Sequence, residues 1–136
     1  MLNLPVSNLP FLKKAYSDII QSENDTDQTG KISSPVCQRR TFTFIDGSYL
    51  SITEFIKDGR IDRYNYDWYS AGKSLLLKFH SEKHKEKNYQ TSTEPFHIHA
   101  KGLIDEKRLA NPMFQDLASI MELIRLFLLA IENYEK

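Results

Sequence analysis

The sequence predicts an α+β domain in which an antiparallel β-meander of four to five strands is flanked by an N-terminal and a C-terminal helix. Two Asp-Gly pairs, Asp46-Gly47 and Asp58-Gly59, separate β-rich runs, and such pairs are the strongest short-range signal for hairpins. Apolar residues at helical spacing precede and follow these runs. The chain has 136 residues, a length typical of one domain, so residues 1–136 are predicted to form a single domain.

Helices are predicted at both ends of the chain. The first is predicted over residues 10–21, because Pro10 suits the first helical position and apolar residues recur at helical spacing up to Ile20. The last is predicted from about Met113 to Tyr134, after Asn111-Pro112, which resembles an N-cap and first turn. Between the first helix and the sheet, residues 22–36 are polar and are predicted to be a mobile linker.

Strands are predicted over residues 37–45, 49–57, 60–69 and 75–79, with a fifth over 96–100. In the first hairpin, a three-residue loop with Gly47 in the left-handed conformation places four apolar side chains on one face. These are Phe42, Phe44, Leu50 and Ile52. A two-residue loop would split them between two faces, so the three-residue loop is favoured. The second hairpin stays open between the two loop types.

Composition excludes several classes of protein. The 18 basic and 18 acidic residues exclude a surface that attracts nucleic acid as a whole, but not a local basic patch. Cys37 is the sole cysteine, which excludes an internal disulfide and a Cys-rich zinc site and indicates a reducing compartment. No signal peptide and no apolar run of ~20 residues is visible. The sequence therefore predicts a soluble, cytoplasmic protein that does not enter a membrane.

All four histidines fall in one segment, which also concentrates lysines. The histidines are His80, His84, His97 and His99, and the lysines include Lys78 and Lys101. Spacing of two places His97 and His99 on one face of the predicted fifth strand. Neighbouring imidazoles can share proton transfers or bind a metal, and nearby lysines can hold phosphates. The alternative is a solvated charged loop in which His-x-His occurs by chance.

Glu54 follows Leu50 and Ile52 on the inferred apolar face. A carboxylate there must be paired or functional, so Glu54 is either a general base with a raised pKa or the partner of Arg40 or Gln38 on the neighbouring strand.

The strand after the second turn is rich in aromatic residues. Tyr64, Tyr66 and Trp68 share a face, next to Arg63. Such a face can stack nucleobases, but aromatic residues alternating on a strand are more often core, and core is favoured here.

The last helix carries two apolar stripes. The main stripe is predicted to cover the sheet. The second, formed by Leu123, Leu126 and Phe127, is predicted either to contact a partner or to be covered by the N-terminal helix.

Four segments, FTFIDGSYLSITEF, RYNYDWY, LLLKFHSEKH and EPFHIHAKG, together resemble the TumE-like family of small prokaryotic toxin–antitoxin proteins. The family pattern contains an Asp-Gly-Ser turn, a following Glu, a Tyr-rich strand, an Arg-Tyr-Asp-Asn segment followed by His, and a Pro-His-His-x-His segment. The matching residues here are Asp46-Gly47-Ser48, Glu54, Tyr64, Tyr66, Lys78-Phe79, His84, Pro95, His97 and His99. Lys78, His80-Ser81 and Phe96 depart from the pattern, and Lys78 lacks the bidentate fork of arginine.

The resemblance implies a toxin with a cognate antitoxin as partner. The leading hypothesis is action on RNA, as a metal-free ribonuclease or directed at the ribosome, without a cofactor. Its candidate catalytic residues are His97, His99, Glu54 and His84, and its candidate substrate-binding residues are Lys78, Lys101, Tyr64, Tyr66 and Arg63.

Two other hypotheses stay open. One is a non-enzymatic interaction protein that forms a homodimer or binds a partner through its C-terminal helix. The other is a divalent metal site built from His84, His97 and His99, or with His80 in place of His84.

Overall fold

The described residues form a seven-stranded antiparallel sheet with one helix before it and one after it. In this computed structural model they are residues 9–81, 97–100, 109–110 and 117–135. In chain order the elements are α1 (Leu9–Ala15), β1 (Ile20–Asn24), β2 (Cys37–Phe44), β3 (Tyr49–Lys57), β4 (Arg60–Tyr69), β5 (Leu75–His80), β6 (His97–Ala100), β7 (Leu109–Ala110) and α2 (Leu117–Glu135). The strands lie side by side in sequence order, so the predicted α+β meander with flanking helices is confirmed.

Two short edge strands add to the five that the sequence predicts. At one edge, β1 takes Ile20 and Gln21 from the predicted first helix and residues 22–24 from the predicted linker. The helix ends at Ala15 because the chain then turns to pair with β2, and the amide of Ile45 donates to the carbonyl of Ile19 at 3.0 Å. At the other edge, β7 pairs with β6. Ile19 and Ile20 fit a helix and a strand equally well, and pairing with the distant strand β2 decides in favour of the strand.

The first hairpin has the predicted three-residue loop. The amide of Phe44 donates to the carbonyl of Ser48 at 2.8 Å, and Gly47 has a φ of 86°. Phe42 pairs with Leu50, which brings the four predicted apolar side chains to one face, where all are fully buried. In the second hairpin Lys57 pairs with Arg60, so the loop there is the two-residue Asp58-Gly59.

The core lies between one face of the sheet and the helices. The helix α2 contributes its main stripe, whose buried members are Leu117, Ile120, Met121, Ile124 and Leu128. Near the start of α2, the hydroxyl of Tyr16 donates to the carbonyl of Ala118 at 3.0 Å, which fixes the segment after α1 against this helix. Neither described helix is long and apolar enough to cross a membrane.

The second stripe of α2 stays accessible. Leu123, Leu126 and Phe127 are 37%, 57% and 45% exposed, and α1 does not bury them. The ring of Phe127 meets Trp68 edge-on, with 5.2 Å between the ring centroids.

Candidate functional site

The face of the sheet opposite the core carries two rows of polar residues that run across the strands. On β2 to β6, these positions alternate with the core positions, so their described side chains point away from the helices. We call these the two polar rows. The first row is Arg39, Thr53, Asn65, His80 and His97, and the second is Thr41, Ser51, Asp67, Lys78 and His99.

Asp67 of the second row and His80 of the first row form a close pair where β4 meets β5. Nε2 of His80 lies 3.0 Å from Oδ1 of Asp67, and both side chains are nearly buried. An ionised carboxylate can only accept a hydrogen bond, so it holds the imidazole in the tautomer that carries hydrogen on Nε2. The arrangement is one that orients a histidine for proton transfer.

At the β2 end, a turn around Asp27 covers the polar rows. The hydroxyl of Thr41 donates to the carbonyl of Thr26 at 2.7 Å, and the amide of Gln28 donates to Oγ of Ser51 at 3.0 Å. Residues 25–29 are therefore attached to β2 and β3, although the sequence predicts a mobile linker there.

The carboxylate of Asp27 is the centre of this attachment. It is buried, and it accepts hydrogen bonds from the amide and hydroxyl of Thr29, from the guanidinium of Arg39 and from the hydroxyl of Thr53. Burial alone would raise the pKa of Asp27, but the hydrogen bonds from Thr29 and the charge of Arg39 together lower that pKa below its usual value. Asp27 is thus a stably ionised anchor.

A pocket of about 240 Å³ opens between this turn and the middle of the sheet. Residues of the turn, including Gln28 and Lys31, form one wall, and Phe55, Asn65 and Asp67 belong to the sheet wall. Since Asp67 also contacts His80, the pocket lies directly beside the Asp67–His80 pair.

The residues predicted for the site separate into two groups. His97 and His99 occupy register positions opposite His80 and Lys78, so these four positions are adjacent across β5 and β6. Arg63 is exposed on β4, with its guanidinium 3.9 Å from the centroid of the Phe55 ring. The predictions for His84 and Lys101 lie outside the described residues.

Glu54, Tyr64 and Tyr66 lie on the other face, in the core. Of the two residues suggested as neighbours of Glu54 on β2, Gln38 is the one that pairs with it in the register. The hydroxyl of Tyr66 donates to Oε2 of Glu54 at 2.5 Å. The rings of Tyr64 and Tyr66 stack at 4.2 Å and are buried, which confirms the core interpretation of the aromatic strand. Glu54 therefore lies on the opposite face of the sheet from Lys78 and His80.

Arg40, the other suggested partner of Glu54, contacts a different carboxylate. Its Nη1 lies 3.3 Å from Oε2 of Glu23 on β1, and Lys13 reaches the other oxygen of Glu23 at 2.9 Å. Burial alone would raise the pKa of Glu23, but these two cations lower that pKa below its usual value. This cluster stabilises the edge strand that the sequence does not predict.

The described residues contain no group of three or more side chains that could hold a metal ion. The metal site predicted for His84, His97 and His99 depends on one residue outside that part of the chain, so it stays a prediction.

Sequence reasoning missed Asp27, Arg39, Asn65 and Asp67. Two of them carried a signal, since Asn65 and Asp67 alternate with the aromatic residues of β4 and so belong to the opposite face. Asp27 gave none, because in sequence it is one acidic residue of a polar run, and its burial depends on Arg39 and Thr53 from two other strands.

The fold and the site define a small α+β protein with helices on one sheet face and a polar pocket with a carboxylate–histidine pair on the other. A family model described as Toxin TumE matches residues 9–135, and the chain belongs to that family. It is thus a toxin-like protein, and its family implies a cognate antitoxin partner. Comparisons with curated proteins and with solved structures gave no match.

Proposed function

We propose that this toxin acts on RNA as a metal-free ribonuclease, with its reaction centre where β5 meets β6. The observation that carries the proposal is the register of these strands, in which His80 pairs with His97 and Lys78 with His99. Three imidazole-bearing positions and one lysine thereby fall within two adjacent residue pairs. Metal-free cleavage of RNA needs such a set: a base, an acid and a cation.

The chemistry assigns one role to each group. One of His97 and His99 accepts the proton of the ribose 2′-hydroxyl as its oxygen attacks the adjacent phosphorus. The other donates a proton to the 5′-oxygen as the bond from phosphorus to that oxygen breaks. Lys78 stabilises the negative charge on the phosphorane oxygens. The products are a 2′,3′-cyclic phosphate and a free 5′-hydroxyl, so no water and no metal is consumed.

The Asp67–His80 pair supports this centre by position. His80 pairs with His97 in the first polar row. The carboxylate of Asp67 holds the ring of His80, with 3.0 Å between Oδ1 of Asp67 and Nε2 of His80. We therefore assign Asp67 and His80 as positioning residues for the strand edge. Glu54 has no part in this scheme, because it is a core residue on the other face of the sheet.

The test is cleavage of labelled RNA by the full-length chain in the presence of EDTA. Free RNA and intact ribosomes serve as separate substrates, since both are targets of the same chemistry. The double variant His97→Ala, His99→Ala is expected to lose about 100-fold or more in rate, as removal of acid–base groups does. Asn24→Ala, an exposed change on the edge strand β1, is the control and should cleave like the wild type.

Two results would overturn the proposal. One is cleavage by the double variant at the wild-type rate, and the other is a cleaved product that ends in a 3′-hydroxyl. Growth of cells under tight induction gives a second measurement: arrest by the wild type and by Asn24→Ala, relieved by the double variant, is the expected result.

A non-enzymatic function, binding a partner or a second copy through α2, is favoured by a separate observation. Leu126 and Phe127 are 57% and 45% exposed on a helix whose opposite side fills the core. A charge at that surface should weaken association without unfolding the chain, so Leu126→Glu is compared with Val36→Glu, which places the same charge at an exposed apolar position outside α2. Equal sedimentation of both variants and wild type, alone and with the antitoxin, would count against this interface.

A further inference from the structure

We propose that the pocket between the Asp27 turn and strands β3 and β4 binds one unstacked nucleobase of the RNA substrate. This inference rests on the proposed ribonuclease function and deepens it by assigning a binding subsite beside the reaction centre. The sequence does not indicate this pocket, because its walls come from four separate segments of the chain, namely the Asp27 turn, β2, β3 and β4.

The size of the pocket fits a group as small as one base. Its volume is about 240 Å³. Pockets for drug-sized ligands range from about 300 to 1,000 Å³, so this one suits a single ring system and not a base pair or a folded peptide.

The charge of the pocket favours a neutral polar ligand. Its charged lining residues are two acids, Asp27 and Asp67, and two bases, Lys31 and Arg39, so their formal charges sum to zero. Moreover, Asp27 is already paired with Arg39, and Asp67 contacts His80. A bare phosphate or a metal cation would need an excess of one sign, whereas the edge of a nucleobase needs neutral donors and acceptors.

The uncharged lining residues supply what a base requires. The side-chain amide of Asn65 offers a donor and an acceptor together, which matches the paired donor and acceptor groups on a base edge. Phe55 supplies an aromatic wall, and the guanidinium of Arg63 lies over its ring at 3.9 Å from the centroid. Aromatic and arginine side chains are the groups on which unpaired bases stack.

The pocket is also in the right place for a nucleotide next to the cleaved phosphate. Asn65 pairs with His80 in the register, and His80 pairs with His97. Neighbouring strands are ~4.8 Å apart, so two strand steps separate the Asn65 position from the His97 position by roughly 10 Å. The base and the scissile phosphate of one nucleotide step can span such a distance.

The test measures binding of small probes to the full chain by isothermal titration calorimetry and NMR. The probes are the four nucleoside 5′-monophosphates, ribose 5-phosphate and inorganic phosphate. At least one nucleoside monophosphate should bind, while ribose 5-phosphate, which lacks a base, should not. Asn65→Ala is expected to weaken that binding by roughly 5- to 100-fold, which is the range that one good base-edge contact is typically worth. Asn24→Ala is the matched control, because it changes the same residue type at an exposed strand position outside the pocket.

A second variant guards against misfolding of the first. Phe55→Leu keeps an apolar side chain but removes the aromatic ring, and it should weaken binding of the same nucleotide while the NMR spectrum stays folded. Equal binding of ribose 5-phosphate and the nucleotides overturns the proposal, as does unchanged affinity in both variants or the absence of nucleotide binding.

The result separates this inference from the proposed function. RNA cleavage without nucleotide binding would refute the base pocket and leave the ribonuclease standing. Nucleotide binding that depends on Asn65, in a wild-type chain that cleaves no RNA, would support the pocket and refute the ribonuclease.

Discussion

Oδ1 of Asp67 and Nε2 of His80 lie 3.0 Å apart and join the pocket to the strand edge that bears the other histidine positions. Asp67 does this from β4, where its neighbours on either side, Tyr66 and Trp68, point into the core. One residue of β4 thus lines the pocket, orients an imidazole and is held in place by the rigid core beneath it. The orientation of His80 is therefore set by the sheet itself and not by a loop.

Asp67→Asn should lower the rate of RNA cleavage because the amide cannot hold the imidazole as the carboxylate does. We expect kcat to fall by roughly 10- to 100-fold with little change in KM, as loss of an orienting partner typically does. The measurement is steady-state cleavage of a fluorescent RNA. Asp62→Asn, which changes an exposed aspartate on the same strand, is the control. A change confined to KM would show that Asp67 binds substrate and does not position His80.

Asp27→Asn should destabilise the fold, because it leaves the largely buried guanidinium of Arg39 without its charged partner. We expect the free energy of unfolding to fall by about 2–4 kcal/mol, since breaking one side of a buried pair leaves an uncompensated charge. Urea unfolding measures this. Asp25→Asn is the matched control: its carboxylate is 85% exposed and lies 3.8 Å from Arg40, so it should change stability by less than about 0.5 kcal/mol. Equal effects of the two changes would contradict the anchoring role of Asp27.

The same carboxylate should make stability depend on acid. The pKa of Asp27 is lowered in the folded protein, so its ionised form stabilises the fold above the unfolded pKa of about 3.9. That contribution is lost as the pH falls from about 4 through the lower pKa of the folded state. The pKa of Glu23 is also lowered and acts in the same direction. The free energy of unfolding, measured between pH 7 and pH 2, should therefore decrease once the pH is lower than about 4.5.

Asp27→Asn should reduce the steepness of that acid fall, because the amide does not titrate. An identical pH profile for wild type and Asp27→Asn would show that other carboxylates carry the acid sensitivity.

Tyr66→Phe should destabilise the core, since Tyr66 donates a hydrogen bond of 2.5 Å to the fully buried Glu54. Leaving one partner of a buried hydrogen bond unsatisfied costs about 1–3 kcal/mol, and the expected loss is of that size. A double-mutant cycle with Glu54→Gln isolates the pair, and Tyr49→Phe, on the other face of β3, is the control. Additive effects of the two changes would contradict a direct bond between them.

Most of the sheet follows from local sequence. The two Asp-Gly pairs place the turns, and the alternation of Phe42 and Phe44 with polar residues selects the register in which Gly47 has a positive φ. A slip by one residue would turn the whole apolar set toward the polar face, so burial specifies the register strongly. The edge strand β1 was not predicted because its first residues fit a helix as well as a strand, and only the pairing with β2 makes them a strand.

The candidate site followed the sequence only in part. The histidines were recognisable as a cluster, and the register brings the His80, His97 and His99 positions together. Glu54 was recognisable as an unusual residue, but its partner is Tyr66 from the next strand, and this makes it part of the core. Spacing along one strand gives the face of a residue, not what the neighbouring strand places beside it.

The sequence by itself determined the fold class, the first hairpin and the core face, because these depend on turn chemistry and on a two-residue period that each strand carries alone. Only the tertiary structure decided that Asp27 is an anchor, that Asp67 orients His80 and that a pocket lies between them. Each of these needs side chains from segments that are distant in sequence, and their contacts exist only once the strands have paired in register.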